Sequence, residues 1–156
     1  MRYESEFCTT IVKSMHLGYK IPDESSNFAS SSKRCFDIIG SHSFNSSAEV
    51  PVYIEAKFNK SLSAFNLKRI EEHQSFYLSE FNKIENARCF IILGVYVKRG
   101  DLRAYIFNWS DLKPYYDNKK SIHAKALAML PYNSVIKNHF SFDNIITDKE
   151  LSLIFC

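Results

Sequence analysis

One alternating apolar stretch in the first half of the chain reads Val50-Pro51-Val52-Tyr53-Ile54-Glu55-Ala56-Lys57-Phe58. Successive side chains of a β-strand point to opposite faces, so the apolar members are predicted to share one face: Val52, Ile54, Ala56 and Phe58. Glu55 and Lys57 then stand together on the other face. The stretch therefore predicts a β-strand that carries a carboxylate and an ammonium group side by side.

A second carboxylate lies upstream in Cys35-Phe36-Asp37-Ile38-Ile39, which also has the composition of a strand. If the two strands form a hairpin around the polar residues 41–49, Asp37 and Glu55 lie side by side. Two carboxylates and an ammonium group suit a divalent metal that holds a phosphate and activates water. We therefore interpret Asp37, Glu55 and Lys57 as a nuclease-type site. The alternative is a solvated strand face with a weak ion pair.

Gln74 adds a fourth candidate to this site. Residues 65–83 have helical periodicity, and Gln74 interrupts a stripe that is otherwise apolar: Leu67, Ile70, Leu78 and Phe81. A buried glutamine needs hydrogen-bond partners for its amide. Gln74 either bonds a nearby backbone group and fixes packing, or leans into the carboxylate site to orient water or a phosphate oxygen.

Length and composition narrow the class of protein. The 156 residues predict one domain over 1–156, and the net charge of +3 is compatible with binding to nucleic acid. The start of the chain lacks the apolar core of a signal peptide, and the longest apolar run, 90–97, is too short to span a membrane. Four scattered cysteines without zinc-ligand spacing predict reduced thiols, and hence a cytoplasmic protein with no membrane contact: Cys8, Cys35, Cys89 and Cys156.

Periodicity and chain breakers predict the element order helix, hairpin, helix, strand, strand, helix. The predicted bounds are a helix over 2–17 that stops at Gly18, a loop over 22–32, strands over 35–39 and 50–58, a helix over 65–83, strands over 88–97 and 102–109, a short helix capped by Ser110 and Asp111, and a closing helix over 148–155. This order predicts the α/β class, with a single domain whose central mixed β-sheet is flanked by helices.

Basic residues form three clusters around the predicted site. Beside Lys57, the members of these clusters are Lys33, Arg34, Lys60, Lys68, Arg69, Lys119 and Lys120. Each alone is most often a solvated charge, but together they predict a surface that binds the DNA backbone. No groove-reading motif is present, so we expect recognition of DNA shape rather than of base sequence.

Several motifs carry a resemblance to a known family. Asp37 followed by Glu-x-Lys on the next strand resembles the signature of the PD-(D/E)xK nuclease superfamily, which includes many restriction enzymes. The stretch Ala64–Gln74 is similar to the Phe-x-Leu, Ile and His-Gln pattern of the RecU-type Holliday junction resolvases. Lys119-Lys120-Ser121-Ile122 resembles their Lys-Ser-Ile element, and Tyr3-Glu4 resembles the aromatic-Glu pair of their first helix. The resemblance runs from about residue 3 to residue 125, with 41–49 as extra material and a shorter N-terminus.

This resemblance implies a restriction-endonuclease-like fold and a metal-dependent, structure-selective DNA endonuclease that resolves four-way junctions as a homodimer. The implied catalytic residues are Asp37, Glu55, Lys57 and Gln74. The expected ligands of Mg²⁺, with Mn²⁺ as the alternative ion, are Asp37, Glu55, the carbonyl of Ala56 and, as an outer ligand, Glu4. Glu4 is otherwise a favourable acid in a first helical turn. Candidates for the dimer face are Phe65, Tyr77 and Tyr115-Tyr116.

Two further functions remain open on the sequence. One is a restriction-type or mobile-element DNA endonuclease of the same fold. The other is a DNA-binding module that has the fold without catalysis, although an intact set of Asp37, Glu55, Lys57 and Gln74 disfavours it.

Overall fold

The computed structural model describes residues 3–22, 34–45 and 47–155. Within these ranges the elements are α1 (Tyr3–Ser14), β1 (Leu17–Lys20), β2 (Ile38–His42), β3 (Val50–Asn59), β4 (Phe65–Asn66), α2 (Glu72–Phe81), β5 (Arg88–Lys98), β6 (Asp101–Asn108), α3 (Trp109–Asp117), β7 (Ser121–Ile122), α4 (Ala124–Met129), β8 (Asn133–Ser134), β9 (Ile145–Ile146) and α5 (Asp148–Ile154).

Seven of these strands form one mixed sheet in the order β1-β2-β3-β5-β6-β8, with β9 also paired to β6. The central pair β3–β5 is parallel, and α2 lies in the connection between them. Strands β1, β2 and β3 pair antiparallel, as do β5, β6 and β8. The short strands β4 and β7 form a separate two-stranded ribbon. The predicted α/β class, with a mixed sheet flanked by helices, is confirmed.

Apolar side chains cover the sheet on both faces. On one face α1 packs Phe7 and Ile11 against the even-numbered apolar residues of β3, as the alternation of that strand predicts. On the other face α2 and α3 contribute Leu78 and Trp109 to a second cluster. Since both faces of β3 are covered, Glu55 and Lys57 are buried. The solvated strand face considered for this pair is therefore wrong.

The helix predicted over 65–83 begins later, at Glu72. Its first residues instead form β4 and a 3₁₀ turn over Leu67–Arg69. The Asn66 side chain accepts a hydrogen bond from the Lys68 amide at 2.9 Å, which stabilises the turn over a continuous helix.

The first helix is shorter than predicted, because it ends at Ser14 rather than at residue 17. The Ser14 hydroxyl donates to the Thr10 carbonyl at 2.7 Å and accepts from the Phe140 amide at 3.0 Å, which ties the last turn to a distant loop. Gly18, predicted to stop the helix, lies inside β1 and faces a second glycine of β2.

Other predicted boundaries also shift. Regular pairing of β2 begins at Ile38, not at residue 35. The N-cap of α3 is Asn108, whose side chain donates to Asp111 at 2.7 Å, so Ser110 and Asp111 lie inside the first turn. Phe65 is fully buried, so its assignment to a dimer face is wrong. The loop predicted over 22–32 falls almost entirely outside the described residues.

The closing helix is confirmed as α5, which begins with a capping box between Thr147 and Glu150. Of the helices in the described ranges, none has both the length and the apolar composition needed to cross a bilayer.

Gly94 allows two aromatic rings to approach the centre of the sheet. A Cβ atom at this position would lie 2.7 Å from the Phe58 ring and 3.0 Å from the Phe7 ring. We expect Gly94→Ala to lower the free energy of unfolding by about 1–3 kcal/mol, the usual cost of overpacking a core. Urea denaturation measures the change. Phe58→Leu in the same chain should recover part of the loss, and an unchanged stability of Gly94→Ala would contradict this packing.

Candidate active site

Asp37 and Glu55 lie beside each other where the β2–β3 pairing ends. The register sets Ile38 opposite Ile54, and the Asp37 amide donates to the Ile54 carbonyl at 3.1 Å. The Asp37 side chain then turns toward β3, where its carboxylate accepts the Ala56 amide at 2.8 Å. The predicted juxtaposition of the two carboxylates is confirmed.

Burial and proximity together perturb the titration of Glu55. Only 4% of Asp37 and 3% of Glu55 is exposed. Burial, followed by the nearby Asp37 charge, raises the pKa of Glu55 to about 9, although Lys57 and Arg34 act in the opposite direction. A hydrogen bond to Asp37 also favours the protonated form of Glu55. Without a cation, Glu55 therefore keeps its proton near neutral pH, in the hydrogen bond to Asp37.

Gln74 joins Glu55 and Lys57 to helix α2. Its amide nitrogen donates to Glu55 Oε1 at 2.6 Å, and its amide oxygen accepts from Lys57 Nζ at 3.4 Å. The same oxygen accepts the Glu71 amide at 2.8 Å and so completes the capping box that starts α2. Gln74 therefore makes the backbone bond that was one alternative and also contacts the carboxylate site, which was the other.

Two cations contact the carboxylates. Lys57, which is 8% exposed, places Nζ 3.6 Å from Glu55 Oε1. Arg34, predicted to bind DNA, lies 2.5 Å from Asp37 Oδ1. Sequence reasoning missed this contact, although an arginine three residues before a buried aspartate is a usable signal. Lys33, its predicted companion, lies outside the described residues.

Glu4 is not brought to the paired carboxylates. Its carboxylate lies 3.6 Å from Arg69 Nη2, and Arg69 also donates to Asn59 at 2.5 Å and to the Phe58 carbonyl at 3.0 Å. This set links α1 to the end of β3, beyond Lys57. The placement does not support Glu4 as an outer metal ligand, and it gives Arg69 a structural contact that the sequence did not predict.

The donor set fits a small divalent cation with oxygen ligands. Among residues 3–22, 34–45 and 47–155, no group of three or more His, Cys, Asp and Glu could hold a metal ion. Mg²⁺, however, commonly uses one or two carboxylates and keeps several waters. The N–H and C=O of one strand residue point to the same side, so the Ala56 carbonyl opens toward Asp37. A cation there would replace the proton that Glu55 keeps.

The thiol nearest the site is chemically inert. Burial, followed by the charge of Asp37, raises the pKa of Cys8 to about 12, so a thiolate nucleophile is absent at neutral pH. Cys8 and Cys89 are buried free thiols and Cys35 is partly buried, as core-filling residues should be. Cys156 lies outside the described residues.

The remaining predicted basic residues are exposed. Pairing of β4 with β7 sets Asn66 opposite Ser121, and the Leu67 amide donates to the Lys120 carbonyl at 3.3 Å. The ribbon thereby brings together two clusters that are distant in sequence: Lys68 and Arg69 follow β4, and Lys119 and Lys120 precede β7. Lys68 and Lys119 line the same pocket. Lys60 lies elsewhere, over the ring of Tyr3.

The protonated Glu55 predicts how stability depends on pH in the metal-free protein. Its folded pKa of about 9 lies above the ordinary value of 4.5, so the folded state keeps a proton that the unfolded state releases. Stability should therefore fall as the pH rises from about 5 to about 9, and Glu55→Gln should remove that part of the slope. Urea unfolding in EDTA across this range measures both chains. Equal slopes would contradict the proton held by Glu55, because the histidines cancel in the comparison.

Comparison with known proteins agrees with this geometry. A family model described as Recombination protein U matches residues 33–147. The match contains Asp37, Glu55, Lys57 and Gln74, and it extends the likeness beyond residue 125 through β8 and β9. It leaves out α1 with Tyr3 and Glu4. No curated protein matches the chain at a significant level.

The matched range covers well over half of the chain and includes both strands and the helix that build the carboxylate site. This chain therefore belongs to the recombination protein U family, the family of Holliday junction resolvases.

Proposed function

We propose that this chain, as one nuclease domain over 1–156, is a divalent-metal-dependent endonuclease selective for four-way DNA junctions. The observation that carries the proposal is the buried pair of Asp37 and Glu55 with Lys57 against it. Such a pair is costly to bury. Arg34 contacts Asp37 and Lys57 contacts Glu55, whereas a divalent cation would bind both carboxylates at once. A binding module would have no use for this arrangement.

Asp37, Glu55 and the Ala56 carbonyl are the proposed cation ligands, with Mg²⁺ as the ion and Mn²⁺ as the alternative. A bound divalent cation would supply Lewis acidity to the scissile phosphate and to water. The Ala56 amide and Arg34 hold the Asp37 carboxylate in place. Two fixed donors of this kind reduce the reorganisation that the site needs when DNA arrives.

Lys57 and Gln74 are the proposed catalytic partners of the carboxylates. Lys57 places an ammonium group beside Glu55, where it can neutralise charge that develops on the phosphate or orient the attacking water. Gln74 fixes the Glu55 carboxylate with one end of its amide and contacts Lys57 with the other. Both groups are anchored by backbone elements rather than by a loop, so they stand ready before substrate binds.

The lysines and arginine around the β4–β7 ribbon are the proposed contacts to the DNA backbone: Lys68, Arg69, Lys119 and Lys120. Phosphate contacts fix register and orientation without reading sequence, which suits an enzyme that recognises DNA shape. Lys33, Arg34 and Lys60, which the sequence also predicts to contact DNA, are kept as proposed contacts.

A homodimer is the proposed working form, because a symmetric pair of sites matches two symmetric nicks. The edge strand β1 supports it, since Leu17 and Tyr19 are both well exposed there. An open strand edge with apolar side chains is a common place for a second chain to pair.

Cleavage of a labelled four-way junction tests the enzyme and its metal. We expect paired nicks with Mg²⁺ or Mn²⁺ and none with EDTA. Glu55→Gln or Lys57→Gln should lower the rate by about 10²–10³ while junction binding remains, since each removes one charge partner of the transition state. The matched control is Glu85→Gln, an exposed acid in the turn before β5, which should leave the rate unchanged.

Four outcomes would contradict parts of the proposal. Cleavage that persists in EDTA would contradict the proposed dependence on a divalent metal. Equal cleavage of junction, duplex and single strand would remove structure selectivity and favour a restriction-type or mobile-element nuclease. Tight binding with no cleavage under any condition would favour the non-catalytic module. A monomer in sedimentation at micromolar concentration would remove the paired mechanism.

Removal of basic side chains should weaken binding without changing substrate preference. For Lys68→Ala and for Lys119→Ala we expect weaker junction binding, and the slope of log affinity against log salt should fall by about one unit for each. Fluorescence anisotropy across a salt series measures both quantities. Lys149→Ala on α5 is the control, because this lysine is also exposed and belongs to none of the three predicted basic clusters. An unchanged salt slope would contradict a phosphate contact.

A further inference from the structure

A pocket of about 600 Å³ lies beyond the proposed active site, at the end of β3. Its floor is apolar and consists of Phe58, Leu102 and Val135. Two tyrosines, Tyr3 on α1 and Tyr96 on β5, stand at its wall. The pocket is large enough for one small planar ligand. It is lined by α1, by the strands β3, β5 and β6, and by the loop that follows β8.

The two tyrosine rings are unusually open for residues of this size. Tyr3 is 50% exposed and Tyr96 is 43% exposed, although each has apolar side chains beside it in the same pocket. The Lys60 ammonium group lies 3.8 Å from the centroid of the Tyr3 ring. Exposed rings with a cation at one face form a platform on which another planar, electron-rich group can stack.

The charge around the pocket is strongly positive. Lys60, Lys98 and Lys137 line it, whereas Asp101 is the single acid among its lining residues. Both carboxylate oxygens of Asp101 are bound by Arg103 at 3.0 Å, so this acid does not neutralise the lysines. An occupant with an aromatic part and a negative part would match both features of the pocket.

The pocket also lies at the end of β3, the β-strand that carries Glu55 and Lys57 of the proposed active site. Lys60 follows Lys57 by three residues, which is about 10 Å along an extended chain. The contacts of Arg69 with Asn59 and Glu4 hold α1 against this end of β3 and so fix Tyr3 in place. Phe58 in the pocket floor lies on the face of β3 opposite Glu55 and Lys57, so a DNA strand bound at those residues would pass around the end of β3 to bring a nucleobase to the tyrosines.

We propose that this pocket, the Tyr3–Tyr96 pocket, receives one unpaired nucleobase of the DNA strand, which stacks on a tyrosine while the lysines contact its phosphates. The inference rests on the proposed function, because it needs a DNA strand in the active site. Stacking on an aromatic side chain tolerates any base and adds affinity without reading sequence. The pocket thus supplies a reason for selectivity toward DNA whose bases are free to unstack.

The test combines tyrosine variants with abasic DNA. Junction affinity is measured by anisotropy in a Glu55→Gln chain, which prevents cleavage, for an intact junction and for junctions with one abasic position on either side of the cleavage point. Tyr96→Ala should weaken binding of the intact junction about tenfold, the usual value of one base–aromatic stack. Tyr96→Phe should keep the parent affinity. One abasic position should cost the parent about tenfold and cost Tyr96→Ala nothing further.

The controls separate this pocket from general effects. Met129→Ala removes an apolar side chain that is 85% exposed on α4, outside the pocket, and should leave the affinity unchanged. Tyr3→Leu tests the opposite wall and keeps the experiment decisive if Tyr96→Ala is poorly folded by circular dichroism. The proposal would be overturned if the affinity losses from Tyr96→Ala and from the abasic position add at every position tested. It would also be overturned if Lys137→Ala weakens binding and neither tyrosine variant does, which would leave only a phosphate contact.

Failure of the pocket and failure of the proposed function give different results. If the junction is cleaved in a metal-dependent way but Tyr96 shows no coupling to any abasic position, the base-binding pocket is wrong and the endonuclease proposal stands. Coupling without cleavage in the unmodified chain keeps the pocket and removes the endonuclease.

Discussion

The hydrogen bond from the Ala56 amide to the Asp37 carboxylate organises this end of the molecule. Regular pairing of β2 with β3 stops at Ile38, and the Asp37 side chain takes the place that a backbone carbonyl would have held in the next rung. The bond therefore ends a strand and orients a carboxylate at once. Glu55 lies between Ile54 and Ala56, the two residues of β3 that are hydrogen-bonded to Asp37, so its position follows from the same register.

A covered sheet makes this arrangement demanding. Helices pack on both faces of β3, and every buried polar side chain within the described ranges has a hydrogen-bond partner. Charges held in such a place are compensated by neighbours rather than by water. Arg34 supplies positive charge beside Asp37 and Lys57 beside Glu55, and Glu55 also holds a proton when no metal ion is bound.

Strict alternation made β3 and the faces of its side chains predictable, and burial of Asp37 among apolar neighbours made its pairing with Glu55 predictable. Short elements were not. The pair β4–β7 joins segments more than fifty residues apart, and no local pattern encodes such a contact. Helix α2 was placed too early because the apolar period continues through residues that form a turn. The Arg69 contacts depend on tertiary approach, so sequence alone assigned this arginine to DNA; the Arg34 contact is local and was missed although its spacing is visible in the sequence.

The capping box of α2 imposes a constraint that the helix by itself would not. Glutamate serves as well as glutamine at the third position of a capping box, and one base change converts either codon into the other. At position 74, however, a glutamate would replace the amide N–H that donates to Glu55 Oε1 with a carboxylate oxygen, and the two acids would repel each other. A mutation that leaves the capping box intact would thus place a repulsive charge beside Glu55. Sequence drift at this residue is restricted by electrostatics rather than by helix stability.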